Sequence, residues 1–149
     1  PVKSALDLVL PRAKAVGVTP GLNMPAVQVP VLAGAIRIEQ VVANLLLNAL
    51  DAVEARPNPQ VTVTLSIDGA AAVVTVHDNG VGISESHLQR VVEPFFSTKQ
   101  TGEALGLGLA ICKVILTDFR GTLDIRSVPQ HGTQVIVSLP LAEQEVRAA

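Results

Sequence analysis

Hydrophobic residues recur along this chain with two different periods, and the two periods predict helices and strands in separate segments. Over residues 35–55 the apolar positions follow a helical repeat, which predicts a long amphipathic helix that ends before the proline-rich run at 56–59. The same repeat predicts helices over residues 4–16 and 107–118. Alternation over residues 60–67 instead predicts a half-buried strand, and residues 71–78 read as its partner strand after a tight turn at 68–69.

The remaining segments complete an α+β pattern. Short extended pieces are expected near residues 18–23 and 27–32, and residues 121–127 and 133–140 read as a second hairpin around a turn at 129–132. Residues 79–103 are expected to form a loop, with a short helix after Ser84. Because the strands come in adjacent pairs, a two-layer sandwich is favoured over a doubly wound parallel sheet. We expect one domain over residues 1–141 and a frayed tail over 142–149.

Composition narrows the possible functions. The chain has 149 residues, of which 48% are hydrophobic, enough for one domain with a real core. A net charge of −2 without a basic stripe argues against nucleic acid as a partner, and three phenylalanines with no Trp or Tyr make a base-stacking platform improbable. The single cysteine excludes a disulfide framework within the chain. Because the chain begins at Pro1, we expect it to be a fragment of a longer protein.

The segment "NLLLNALDA", residues 44–52, places polar side chains within a helical repeat. Asn44, Asn48 and Asp51 are spaced four and three residues apart, so they share one helix face. This face is either a solvated stripe opposite the core or the wall of a ligand pocket. In the second interpretation, the amide oxygens suit Mg²⁺ that keeps waters and bridges phosphates.

The segment "HDNGVGI", residues 77–83, ends a predicted strand in Asp78 and continues into Gly80 and Gly82. A strand that simply exits into a turn would have the same pattern. Alternatively, a carboxylate held at a strand end accepts a hydrogen bond from an adenine amino group. The glycines then let the backbone approach the base.

Two later segments are compatible with a phosphate site. In "EPFFSTK", residues 93–99, adjacent phenylalanines either plug a core or anchor a lid that carries Lys99. In "QTGEALGLGLAICKVI", residues 100–115, two glycines precede a helix whose N-terminus either binds phosphate or packs closely on a sheet. The second segment is neither a Walker A loop nor a Rossmann fingerprint, since it lacks Gly-Lys-Ser/Thr and no strand immediately precedes it.

Taken in order, these segments resemble the nucleotide-binding boxes of the GHKL ATPase and kinase superfamily. They are most similar to the catalytic ATP-binding domain of bacterial sensor histidine kinases. "NLLLNALDA" resembles the N box, "DNGVGI" the first glycine box, "EPFFSTK" the F box and "GEALGLGLAI" the second glycine box, while "HGTQVIVSLP" resembles the terminal Gly-Thr strand. The resemblance implies a two-layer α/β sandwich of the Bergerat type. Its mixed, mostly antiparallel sheet is covered on one face by three main helices.

The resemblance also implies roles for individual residues. Asn48 is expected to coordinate Mg²⁺ between the ATP phosphates, with Asn44 beside them, and Asp78 to bind the adenine amino group. Residues 102–109 are expected to form a lid over the triphosphate, and Thr133 to hydrogen-bond near Asp78 or the adenine. The full set of candidate ATP-binding residues is Asn44, Asn48, Asp51, Asp78, Gly80, Gly82, Ile83, Phe95, Lys99, Gly102, Leu105, Gly106, Leu107, Gly108, Leu109 and Thr133.

Asn44 bears on the type of reaction. Hydrolysing relatives carry a glutamate at this position as general base, and asparagine cannot accept a proton. The resemblance therefore implies phosphoryl transfer to a protein group. Two alternatives stay open: an ATP-hydrolysing GHKL module, and a degenerate docking module that binds no nucleotide. The second alternative follows from Ala104 and Leu105, which replace the usual Gly and Thr of the second glycine box.

The family implies partners beyond this chain. The acceptor is a histidine on a separate dimerisation domain, and a response regulator receives the phosphoryl group indirectly. His77, His87 and His131 lack the acceptor's helical context, so the fragment should bind ATP without phosphorylating itself. It should also be mainly monomeric and form the cytoplasmic domain of an inner-membrane sensor kinase. Leu105 and "TDFRG", residues 117–121, resemble the C4-dicarboxylate sensor kinases.

Overall fold

The computed structural model describes residues 2–23, 35–84 and 108–140. Within these ranges the chain forms three helices and five strands, in an order that matches the sequence pattern. The elements are α1 (Val2–Val16), β1 (Gly21–Asn23), α2 (Ala35–Val53), β2 (Val61–Asp68), β3 (Ala71–Asp78), α3 (Gly108–Asp118), β4 (Thr122–Val128) and β5 (Gly132–Pro140).

The element boundaries agree closely with those expected from periodicity. α1 begins two residues earlier than predicted and continues through Pro11, and α2 ends at Val53, two residues earlier than predicted. The predicted extended piece at 27–32, the short helix after Ser84 and the frayed tail at 142–149 lie outside the described residues. The period of the apolar positions predicted the type of the three described helices and of β2, whereas the flanking prolines indicated the extended piece that contains β1.

The five strands form one mixed sheet in the order β1-β2-β3-β5-β4. β1 runs parallel to β2, and the β2–β3, β3–β5 and β5–β4 pairs are antiparallel. The two predicted hairpins are thus joined through β3 and β5, at the centre of the sheet. This pairing brings the end of β3 next to the start of β5, because Asp78 lies opposite Thr133.

The core lies between one face of the sheet and the helices. α2 is the central helix, since it packs against α1, α3 and strands β2, β3 and β5. Alternate side chains of the sheet, such as Val63, Val76 and Val137, are buried in this layer. On the opposite face the positions include the polar Thr64, Thr75 and other half-buried or exposed residues. The structure is therefore the α+β two-layer sandwich that the sequence predicted.

Among residues 2–23, 35–84 and 108–140, no helix combines the length and apolar character required to cross a membrane.

Candidate functional site

One end of the helix-facing side of the sheet carries polar residues where apolar ones would be expected. Asp78 on β3 lies opposite Thr133 on β5, and Thr133 lies opposite Ser127 on β4. These three residues are called the polar row here. Their side chains point toward the helix layer, and Asp78 is accordingly only 4% and Thr133 only 7% exposed. Buried polar groups are costly unless they are hydrogen-bonded, so the partners of this row define the site.

Asp78 is held by backbone donors. Its Oδ1 accepts a hydrogen bond from the Gly80 N–H at 2.8 Å, and its carboxyl group also accepts one from the Thr133 backbone N–H. Burial raises the pKa of Asp78 above the ordinary aspartate value, although both hydrogen bonds and the nearby His77 act in the opposite direction. An ionised carboxylate has about four acceptor positions, so lone pairs remain for a ligand donor.

The chain after Asp78 passes between the end of α2 and the β4–β5 hairpin. A Cβ atom on Gly80 would lie 2.5 Å from the Ala52 carbonyl oxygen, and Val81 donates its N–H to that oxygen at 3.2 Å. Gly82 has a φ of 74° and its Cβ would overlap the Val128 carbonyl group. Only glycine allows this close approach at both positions, and α2 is thereby brought against the polar row.

The Ser127 hydroxyl joins three segments at the site. It accepts a hydrogen bond from the Ile83 N–H at 2.7 Å and lies 2.8 Å from the Thr133 Oγ1. It also donates to the Gly132 carbonyl oxygen at 3.0 Å. Sequence reasoning missed this residue. The available signal was a serine at the third inward position of a strand whose other inward residues are Leu123 and Ile125.

Arg56 and Asn79 form hydrogen bonds that connect the segments around the polar row near the protein surface. Arg56 donates from Nε to the Asn79 carbonyl oxygen at 3.1 Å and from Nη2 to the Gln130 carbonyl oxygen at 2.7 Å. The Asn79 side chain accepts from the Gln60 N–H at 2.8 Å and donates to the Asn58 carbonyl oxygen at 2.6 Å. The connection after α2, the glycine segment and the β4–β5 turn therefore form one hydrogen-bonded frame.

The predicted polar face of α2 is half-buried along its length. Asn44, Asn48 and Asp51 are each neither fully buried nor exposed. Asn44 hydrogen-bonds to the buried thiol of Cys112, whose pKa burial raises to about 11. Asp51 accepts from Arg12 of α1 at 2.8 Å, so this candidate residue also ties two helices together.

The structure brings part of the predicted site together. Asp78, Gly80, Gly82, Ile83 and Thr133 meet directly at the polar row. The final turn of α2, which carries Asp51, adjoins them through the Ala52 carbonyl group.

The second glycine-rich segment is described only from its helix onward. Gly108 begins α3, and Leu109 is half-buried and packs against the core. The remaining candidate residues lie outside the described residues; these are Phe95, Lys99, Gly102, Leu105, Gly106 and Leu107.

Among the described residues, no group of three or more His, Cys, Asp or Glu side chains could hold a metal ion. Mg²⁺ in nucleotide sites is bound through substrate phosphates, waters and one or two protein oxygens. The amide oxygen of Asn48 on α2 suits such a site, in which the nucleotide supplies much of the coordination.

Comparison with known proteins agrees with this geometry. Residues 33–143 match the model of the family described as histidine kinase-, DNA gyrase B- and HSP90-like ATPases. The chain is 39% identical over 139 residues to the C4-dicarboxylate transport sensor protein DctB of Pseudomonas aeruginosa, which agrees with the resemblance found in residues 117–121. That match covers 93% of this chain but only 23% of the relative.

Solved histidine kinase structures have the same architecture. The catalytic domain of histidine kinase ThkA is 26% identical, with a TM-score of 0.80 over 93% of this chain and 89% of that one. Full-length ShkA in complex with AMPPNP is 27% identical, with a TM-score of 0.81 over 95% of this chain and 29% of that one. The fold, the polar row and these similarities together show that the chain belongs to the histidine kinase-, DNA gyrase B- and HSP90-like ATPase family, as a catalytic domain of the sensor histidine kinase type.

Proposed function

We propose that this chain binds Mg²⁺–ATP and presents the γ-phosphoryl group to a histidine on a separate dimerisation domain of the same protein. The main support for this proposal is the buried Asp78, which accepts hydrogen bonds from the backbone N–H groups of Gly80 and Thr133 in a domain of the histidine kinase family. A related full-length kinase, ShkA, has been solved with AMPPNP, which supports an adenine nucleotide as the ligand.

The polar row supplies the adenine end of the proposed site. Asp78 accepts a hydrogen bond from the 6-amino group of the base, since its carboxylate has acceptor positions beyond the backbone bonds. Gly80 and Gly82 let α2 and the β4–β5 turn approach the backbone that follows Asp78. Ile83, at the end of this segment, would provide an aliphatic contact to the base. Because Asp78 is only 4% exposed, this hydrogen bond is shielded from competing water.

The polar face of α2 supplies the phosphate end. Asn48 provides an amide oxygen for Mg²⁺, which neutralises phosphate charge when it is bound. Asn44 lies one helical turn earlier and has no basic atom with which to deprotonate water. The site is thus equipped to position a phosphoryl group for transfer to another protein group, and it lacks the general base that hydrolysis requires at this position.

The proposed lid remains a prediction. Phe95, Lys99 and residues 102–107 lie outside the described residues, and their roles rest on the sequence resemblance alone. We also propose that the full-length protein is an inner-membrane sensor kinase, with this domain on the cytoplasmic side. It would pass its phosphoryl group to a response regulator, while the isolated domain is a monomer and binds no nucleic acid.

The direct test combines this chain with its dimerisation domain and γ-labelled ATP. We expect acid-labile, base-stable label on the dimerisation domain and none on this chain alone. A dimerisation domain with its acceptor histidine replaced by alanine is the control. Steady-state phosphate release by the chain alone at an ordinary enzymatic rate would identify an ATPase. Absence of nucleotide binding at millimolar ADP would identify a docking module.

Asn48→Ala tests the metal assignment. We expect it to lower the affinity for Mg²⁺–ATP by about 10–100-fold, because it removes a metal ligand, while leaving the fold intact. Calorimetric titration with and without Mg²⁺ measures the effect, since the loss should shrink when the metal is omitted. Gln40→Ala, at an exposed position on the same helix, is the matched control. Normal Mg²⁺–ATP affinity and transfer by Asn48→Ala would show that the assignment is wrong.

A further inference from the structure

The hydrogen bonds around Ser127 determine which hydroxyl group donates to which acceptor. The Ser127 hydroxyl has one proton, and only that proton can bridge it to the Gly132 carbonyl oxygen, 3.0 Å away. The Ile83 N–H occupies one acceptor position of Ser127 Oγ at 2.7 Å. For the 2.8 Å contact with Thr133 Oγ1 to be a hydrogen bond as well, Thr133 must donate its own proton to Ser127. This assignment alone satisfies all three contacts.

The assignment fixes the character of the Thr133 hydroxyl. Its proton is directed at Ser127, so Thr133 Oγ1 can offer only lone pairs to a ligand. The neighbouring Asp78 carboxylate is also an acceptor, and the Thr133 backbone N–H is already used by Asp78. The polar row therefore presents two acceptors and no side-chain donor at the place proposed for the base.

Two acceptors complement an amino group and oppose a carbonyl group. A 6-aminopurine carries two N–H donors at position 6, whereas a 6-oxopurine carries an oxygen whose lone pairs face those of the site. An unpaired or opposed polar group in a buried site is strongly disfavoured. Discrimination at position 6 thus depends on the orientation of the Thr133 hydroxyl as well as on the charge of Asp78.

We propose that Ser127 is a positioning residue for nucleotide specificity, which holds the Thr133 hydroxyl as an acceptor and thereby favours 6-amino over 6-oxo purines. This inference rests on the proposed function, because it requires the base to lie at Asp78. Ser127 acts through Thr133, and its bond to the Ile83 N–H holds the glycine segment in the same arrangement.

The test measures the affinities of the chain for ADP and for inosine diphosphate, in which an oxygen replaces the 6-amino group and N1 carries a proton. In Ser127→Ala the Thr133 hydroxyl loses its acceptor and is free to rotate and donate. We expect the preference for ADP over inosine diphosphate to fall by about tenfold, the size of one hydrogen bond. Ser138→Ala, at a half-buried position of β5 outside the polar row, should retain the wild-type preference.

A double-mutant cycle separates this role from a purely structural one. Thr133→Ala should by itself lower the preference for ADP, and adding Ser127→Ala should change it no further, since Ser127 has no hydroxyl left to orient. If Ser127→Ala weakens both nucleotides equally, or changes the preference less than twofold, the inference is wrong while the proposed function stands. If the wild-type chain does not bind ADP, the proposed function fails and the inference fails with it.

Discussion

Two neighbouring rows on the same face of the sheet have the same geometry and opposite chemistry. One is the polar row of Asp78, Thr133 and Ser127. The next row along the strands consists of Val76, Val135 and Ile125, which have the same mutual pairing. Exposure does not distinguish them, since Asp78 is 4% and Val135 is 9% exposed.

The two rows differ in what stabilises the burial of their side chains. The apolar row is stabilised by removal of hydrocarbon from water, which needs no specific partner. The polar row needs a hydrogen bond for each buried group, and the glycine segment and the β4–β5 turn provide them. Burial raises the pKa of Asp78 even though hydrogen bonds from the Gly80 and Thr133 backbone act in the opposite direction. Asp78 is therefore buried at a cost in stability, which the proposed role as a ligand acceptor would explain.

Introducing a second acid in the apolar row should have the largest effect on stability. Val76→Asp places a carboxylate at a position that is 1% exposed, without the glycine-segment donors of Asp78. We expect a loss of more than about 4 kcal/mol in the free energy of unfolding, because an unpaired charge would be buried. Urea denaturation followed by circular dichroism measures it. Thr75→Asp, on the open face of the same strand, should cost about 1 kcal/mol or less. Equal losses would show that the two faces do not differ in this way.

Removing the charge of Asp78 should lower nucleotide affinity more than it lowers the stability of the fold. Asp78→Asn keeps the shape and an oxygen acceptor but removes the charge. We expect ADP affinity to fall by about 100-fold, the range of a charge-assisted hydrogen bond, with secondary structure preserved. Calorimetric titration gives the affinity, and Asp124→Asn at an exposed position of β4 is the control. An affinity within threefold of the wild type would remove Asp78 from the adenine site.

The pH dependence of stability should show the cost of Asp78 directly. Its pKa is raised in the folded chain, so the unfolded chain ionises first as the pH rises. The stabilising contribution is complete below the unfolded pKa, about 3.9, and is lost as the pH rises through the folded pKa. The stability of the wild type relative to Asp78→Asn should therefore decrease over this interval. Urea denaturation of both proteins at a series of pH values tests this, and a constant difference would contradict it.

The exposed ion pairs of Arg12, away from the polar row, should contribute least to stability. Arg12 bonds to Asp51 and Glu54 at 2.8 and 2.9 Å, but its side chain is 35% exposed. We expect Arg12→Ala to cost about 1 kcal/mol or less, with the difference shrinking at high salt, because exposed ion pairs are screened. Thermal unfolding at low and high salt measures this, with Lys3→Ala on the same helix as control. A larger, salt-independent loss would indicate that packing by the Arg12 stem dominates.

Local spacing predicted which candidate residues share a helix face, and the contacts that it missed are long-range. The spacing of Asn44 and Asn48 placed both on one face of α2, because helix geometry depends only on near neighbours. The bond between Arg12 and Asp51 joins positions 39 residues apart, and no local pattern encodes it. Ser127 was missed for the same reason: its partners Ile83 and Thr133 meet it only after β4 and β5 have paired.

The glycine segment shows a subtler difference between pattern and structure. The sequence indicated that Gly80 and Gly82 are required for close approach, and it suggested the base as the neighbour. The structure shows that both are also required by the protein itself, which packs Ala52 and Val128 against them. The same residue requirement therefore has a structural reason within the chain, in addition to the proposed contact with nucleotide.

By itself the sequence determined the type and order of the described helices and strands, the two-layer class, and the family to which the motifs belong. The elements and the class follow from periodicity and short spacings, which act between residues close in the chain, and the family follows from the resemblance of the motifs. Only the tertiary structure decided that β3 and β5 pair, that Asp78 is buried opposite Thr133, and that the Ser127 and Thr133 hydroxyls lie 2.8 Å apart. Those features depend on which distant segments share a row and on the direction of each hydrogen bond. They exist only when the whole sheet and α2 have come together.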